Sequence, residues 1–164
     1  MQPEDLATES SVTYMKSSTA AGRHGGQCVS DMMAHLADAL AKAEAELGHI
    51  DAVAGDGDHG QGMARGSAAA RAAASKAAAS GAGPATVLSA AADAWADRAG
   101  GTSGALWGEG LRAFSLALED NALPSAQHLA FAALQACAHN MSFDRAKLGE
   151  TLLIIAIAPF VERF

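Results

Sequence analysis

Residues 28–60, CVSDMMAHLADALAKAEAELGHIDAVAGDGDHG, decide the fold. Val29, Met32, Met33, Leu36, Leu40, Ala43 and Leu47 recur at helical spacing, so they form one apolar face. Asp31, Asp38, Lys42 and Glu46 supply much of the opposite face. This predicts a helix from about Cys28 to Leu47, with Gly48 as its stop. The chain then runs through Ile50-Asp51-Ala52-Val53-Ala54 into Gly55-Asp56-Gly57-Asp58-His59-Gly60. Three glycines in six residues make a loop rather than a helix.

Downstream the helical pattern resumes four more times before the C-terminal stretch. A second helix is predicted from near Met63 through an alanine-rich run to about Ala79, ending before Gly81, Gly83 and Pro84. A third spans about Pro84 to Ala99, with Pro84 suited to a first turn and Val87, Leu88, Ala91 and Trp95 on its buried face. The glycine-rich loop Gly100-Gly101-Thr102-Ser103-Gly104 feeds a fourth, which carries Leu106, Trp107, Leu111, Phe114 and Leu118. After a turn at Asn121 to Ser125, with Ser125 as cap, a fifth covers about Ala126 to His139. A last helix is expected from Leu148 or Gly149 to the end. No stretch sustains a period of two, so no sheet is expected and the class is all-α. Residues 1–26, rich in Ser, Thr and Gly, read as a flexible tail or linker. Residues 27–164 read as one helical domain.

Composition agrees. Half of the 164 residues are hydrophobic but only 5% are aromatic, which points to thin helices packed closely through alanine. The net charge of -7, with no Lys/Arg cluster, argues against nucleic-acid binding. The longest apolar run, Leu152 to Val161, contains Pro159 and is too short to span a bilayer. No secretory signal is visible, and Cys28 and Cys137 lack metal-ligand spacing, so the expected setting is cytoplasmic, with reduced thiols and no membrane partner.

Asp51, Asp56 and Asp58 fall within eight residues. A glycine loop lets all three turn toward one point, where like charges repel unless a cation sits between them. Hard oxygen ligands suit Mg²⁺, which completes its shell with phosphate and water. A solvated Asp-Gly turn is the plainer alternative. An EF-hand is excluded, because no acidic residue follows Asp58 until Asp93. Gly100 to Gly104, directly before a helix, offers backbone N–H groups and hydroxyls suited to phosphate. It is not a Walker A loop, since Gly-Lys-Ser/Thr is missing. His59 either braces the acidic loop or donates to a phosphate. His24, His35, His49, His128 and His139 read as surface or boundary residues.

These residues also carry a resemblance. Ile50 to Gly60, followed by Met63 and Gly66, resembles the nucleotide-binding (L) domain of dihydroxyacetone kinases. Gly100-Gly101-Thr102-Ser103-Gly104-Ala105-Leu106-Trp107-Gly108 is similar to that family's second signature, and the resemblance covers about residues 28 to 164. It implies a barrel of mostly antiparallel helices with the nucleotide at one end. Asp51, Asp56 and Asp58 would hold two magnesium ions. His59, Gly60, Gly62, Met63, Gly101, Thr102, Ser103 and Leu153 would line ATP or ADP. No catalytic side chain is implied in this chain. The ketose, dihydroxyacetone or erythrulose, would sit on a separate K domain or subunit, without which the chain would be inactive. The phosphoryl donor would be ATP itself or a phosphotransferase-system protein acting on bound ADP. Trp107 and the run Asp93 to Ala99 look more like ATP-dependent members. His59, where a fatty-acid-kinase branch has Thr, favours the triose or tetrose kinases.

Two departures stand out. Gly149-Glu150-Thr151-Leu152-Leu153 replaces the family's Gly-Asp-Lys-Thr-Met, and Ile155 stands where a later Asp is usual. The family's final segment, which covers the nucleotide, has no counterpart before Phe164. The resemblance therefore implies a barrel lacking its last helix, weak nucleotide affinity, and apolar surface at Leu152 to Ile157 open to self-association. A non-catalytic, ADP- or ATP-sensing module is the alternative function.

Overall fold

The computed structural model describes residues 13–53 and 55–144. Its elements are α1 (Ala20–Asp51), α2 (His59–Ala79), α3 (Pro84–Ala99), α4 (Gly101–Leu116) and α5 (Ala126–Asp144). Among the described residues there is no strand, only an isolated bridge between Lys16 and Ala82. Each helix packs on the next in sequence, and α3 also reaches α1. Short connections make these neighbours antiparallel. Because α1 and α5 do not touch, the described helices form an open all-α bundle rather than a closed barrel. The expected last helix and Leu153 lie outside the described residues.

The core is built from small side chains on α2 and larger ones on α3. Ala70, Ala74 and Ala77 are fully buried, at the spacing of one helix face. Alanine favours the helix and lets a neighbouring backbone come close. Trp95, also fully buried, is the largest of the enclosed side chains. Its ring lies 5.8 Å from that of Trp107 on α4, tilted by 33°. Truncating Trp95 to Ala would cost about 3–5 kcal/mol.

Helix α3 has the predicted bounds, with Pro84 in its first turn. Ser125 caps α5 as expected, its hydroxyl accepting from the His128 N–H at 3.2 Å. Six boundaries differ. Helix α1 begins at Ala20, so Gly22, Gly25 and Gly26 are buried inside a helix rather than ending a tail. Thr19 starts it by accepting from the Gly22 N–H at 2.9 Å and donating to the Asn121 carbonyl at 2.6 Å. Each glycine costs a helix interior about 1 kcal/mol relative to Ala. Close packing outweighs that cost: a Cβ on Gly22 would strike the Asp120 carbonyl, and one on Gly26 the Ala82 carbonyl. Helix α1 also continues past Gly48 to Asp51, and α2 starts at His59 rather than near Met63. Helix α4 starts at Gly101, so Thr102 and Ser103 belong to its first turn, and it ends at Leu116, before Leu118. Helix α5 runs on past His139 to Asp144.

The up-and-down order defines two ends. One holds the α1–α2 and α3–α4 connections. The other holds the start of α1 and the α2–α3 and α4–α5 connections.

Candidate functional site

Asp51 closes the last turn of α1, and its carboxylate organises the loop that follows. Oδ2 accepts from the Gly57 N–H at 2.9 Å and from the His59 N–H at 3.3 Å. The Asp51 carbonyl accepts from the Gly55 N–H at 2.6 Å. Gly57 takes φ 81°, a left-handed conformation that glycine adopts without strain. The loop therefore curls back over the end of α1 and presents Asp56 and Asp58 beside Asp51.

The three carboxylates converge. One oxygen from each lies within 4.8 Å of the others. Asp51 is half-buried, whereas Asp56 and Asp58 are exposed. Asp58 stands at the N-cap of α2 but makes no capping hydrogen bond, so its oxygens are not taken up by the helix. The negative charge of Asp56 and a hydrogen bond with it push the Asp58 carboxyl above its ordinary value, with Asp51 adding to the effect and Arg65 opposing it. That repulsion is what a divalent cation would relieve, and the donor set, all carboxylate oxygen, suits a hard ion such as Mg²⁺.

Across from this loop lies the start of α4. Gly100 and Gly101 take φ 72° and 64°, and a Cβ at either would meet nothing within 4 Å. The turn is thus open, and no side chain caps the helix it begins. The first N–H groups of such a helix have no intrahelical acceptor, and its dipole favours an anion. A groove of about 280 Å³ joins the two halves, lined by Asp58, His59, Gly62, Met63, Arg65, Ala99, Gly100, Gly101 and Thr102.

Of the residues expected at a nucleotide, His59, Gly62, Met63, Gly101 and Thr102 line this groove. Met63 is 3% exposed and belongs mainly to the core. Gly60 does not line the groove: it is buried against α1, where a Cβ would strike the Glu44 carbonyl. Ser103 lies in the first turn of α4. Arg65 lines the groove and was not expected from the sequence. The signal was present in the spacing: Asp58, Gly62 and Arg65 fall at i, i+4 and i+7, one stripe of α2.

Comparison with known proteins adds to this geometry. Residues 53–164 match the model of the DAK2 domain family. The chain is 42% identical over 160 residues to an L-erythrulose kinase of Pectobacterium atrosepticum, covering 96% of this chain and 27% of that protein. It is 47% identical over 141 residues to a D-erythrulose kinase of Mycolicibacterium smegmatis, covering 86% of this chain and 24% of that protein. With a dihydroxyacetone kinase of Pichia angusta it shares 29% identity over 154 residues, 90% of this chain and 25% of the relative. The chain thus spans about a quarter of the length of these relatives.

Proposed function

This chain belongs to the DAK2 domain family, and on that premise we propose that it is the nucleotide-binding part of a small-ketose kinase, presenting magnesium ATP to a ketose held on a separate body. One observation carries the reading: a convergent acidic loop and an uncapped glycine-rich helix start face the same groove. The first suits a cation and the second an anion, and a magnesium-bound polyphosphate is both. Higher identity to two erythrulose kinases than to a dihydroxyacetone kinase favours a tetrulose as acceptor. The proposed partner is a K-type substrate-binding domain or subunit. ATP is the proposed direct donor.

Asp51, Asp56 and Asp58 would hold the magnesium, as one ion or two. When bound, magnesium neutralises phosphate charge and draws electron density from the phosphorus being transferred. The rest is positioning. Asp51, through its bonds to the Gly57 and His59 N–H groups, fixes the loop so that the other two carboxylates converge beside it. The open first turn of α4 and the Thr102 hydroxyl offer donors to phosphate oxygens, and Gly100 and Gly101 leave room for them to approach. No side chain of this chain need take or give a proton, because the acceptor hydroxyl belongs to the ketose on the other body.

Calorimetric titration with ATP and ADP, with and without magnesium, tests the reading. Saturable, magnesium-dependent binding by the chain, lost in Asp56→Ala and in Asp58→Ala, is the expected result. Equal binding without magnesium, or in both variants, would sink it. Adding a K-type substrate-binding partner and erythrulose should then yield a ketose phosphate. Binding with no turnover under those conditions would favour the non-catalytic nucleotide-sensing module instead.

A further inference from the structure

Arg65 is the cationic side chain on the groove wall, and no motif pointed to it. The other arginines of the helices show how unusual its setting is. Arg23 donates to the Ser17 carbonyl at 3.0 Å, Arg71 pairs with Asp38 at 2.7 Å, and Arg112 pairs with Asp93. Among the described residues Arg65 and Arg98 make no hydrogen bond or ion pair, and of these two Arg65 lines the groove.

Its position on α2 explains where it reaches. Arg65 lies six residues beyond His59, about 9 Å along the axis at the usual helical rise. Side chains on a helix lean toward its N-terminus, so this one leans back toward the acidic loop. Gly62, one turn earlier on the same stripe, carries no side chain to block it, and a Cβ there would already crowd the Ala99 carbonyl at 3.1 Å. Arg65 therefore lines a groove with Asp58 at one end and the open α4 turn at the other. Its charge acts on Asp58, yet it forms no ion pair with Asp51, Asp56 or Asp58. A guanidinium whose charge reaches Asp58 but that pairs with no carboxylate keeps its donor fork free. That fork matches two oxygens of a phosphate.

We propose that Arg65 is a phosphate-binding residue of this groove, recognising the terminal phosphates of a nucleoside di- or triphosphate from the face of α2, opposite the donors at the start of α4. The inference rests on the nucleotide reading above and adds a contact to it. It also sets an order of preference: ligands with β- and γ-phosphates gain from Arg65, and a nucleoside monophosphate does not.

The test is calorimetric titration of the full chain, as wild type, Arg65→Ala and Arg65→Lys, with magnesium ATP, magnesium ADP and AMP. The expected result is a loss of roughly tenfold or more in ATP and ADP affinity for Arg65→Ala, the size expected for losing a hydrogen bond between charged groups. Arg65→Lys should fall between, keeping the charge without the fork. AMP binding and the melting temperature should not move, because Arg65 is exposed and bonded to no other described side chain. ATP and ADP binding by Arg65→Ala at wild-type affinity would overturn the proposal and leave the nucleotide reading standing. An equal loss for all three ligands would also overturn it, as general damage to the groove. Failure of the wild type to bind any of them would sink the nucleotide reading itself, and Arg65's role with it.

Discussion

At the end of the bundle away from the groove, Asp120 accepts from the Thr86 N–H at 2.8 Å and from the Thr86 hydroxyl at 2.5 Å, so the start of α3 is capped from across the fold. At the groove end, Asp58 sits on the start of its own helix and caps nothing, and the start of α4 has no side-chain cap. The glycines differ in the same way. Gly83 packs so tightly that a Cβ would strike the Asp120 backbone, while Gly100 and Gly101 face open space. Asn121 ties the far end further, its side-chain carbonyl accepting from the Ser18 N–H at 2.9 Å and the Ser18 hydroxyl at 2.8 Å. Both ends are made of Asp, Gly, Ser and Thr. Where these groups satisfy one another they hold helices together, and where they are left unsatisfied around a space they are ready for a ligand.

The sharpest way to break this comparison is to place the same methyl group at each end. Gly83→Ala should destabilise by about 2–3 kcal/mol, because backbone must move to admit the Cβ. Gly101→Ala should cost about 1 kcal/mol, from its positive φ alone. Thermal or urea melts of the two variants decide the matter. Equal losses would mean the groove end is as closely packed as the other.

Next in size is the cap. Asp120→Ala should lower stability by about 1–3 kcal/mol, since it leaves the Thr86 N–H and hydroxyl without their acceptor. Magnesium-dependent nucleotide affinity, measured well below the melting temperature, should stay as in the wild type. A matching loss of affinity would show that the two ends are coupled.

The smallest effect has the opposite sign. Asp56 raises the Asp58 carboxyl above its ordinary value, so the ionised Asp58 destabilises the metal-free fold. That penalty is absent in acid, where Asp58 is protonated folded or unfolded. It sets in as pH rises through the unfolded value and is complete above the raised folded one. Asp58→Asn should therefore melt slightly higher than the wild type at neutral pH without magnesium, and the gain should fade in acid. The variant should also lack the further rise that the proposed binding of magnesium and ADP would give the wild type. A lower melting point at neutral pH would make Asp58 a structural residue and erase the contrast with Asp120.

The legibility of the chain follows the same division. Helix α3 was readable to its bounds because Pro84, an apolar stripe and a glycine pair at Gly100–Gly101 are all local signals. The acidic loop was readable because glycines and carboxylates at that spacing conflict with a helix. The start of α1 was not. Gly22, Gly25 and Gly26 read locally as breakers, and only the nearness of Asp120, Ala82 and Pro84 turns them into packing residues. The burial of Gly60 was unreadable for a similar reason, since its neighbour is the Glu44 carbonyl on another helix.

By itself, then, the sequence determined an all-α chain, the place of its two glycine-rich breaks and the three carboxylates that converge. Each of these follows from backbone preferences and charge within a few residues. The tertiary structure decided that the two breaks share one groove, that Arg65 lies on its wall, and which glycines and carboxylates are used up in packing. Those outcomes depend on which helices meet and at which end, and the periodicity of a single helix carries no record of its neighbour.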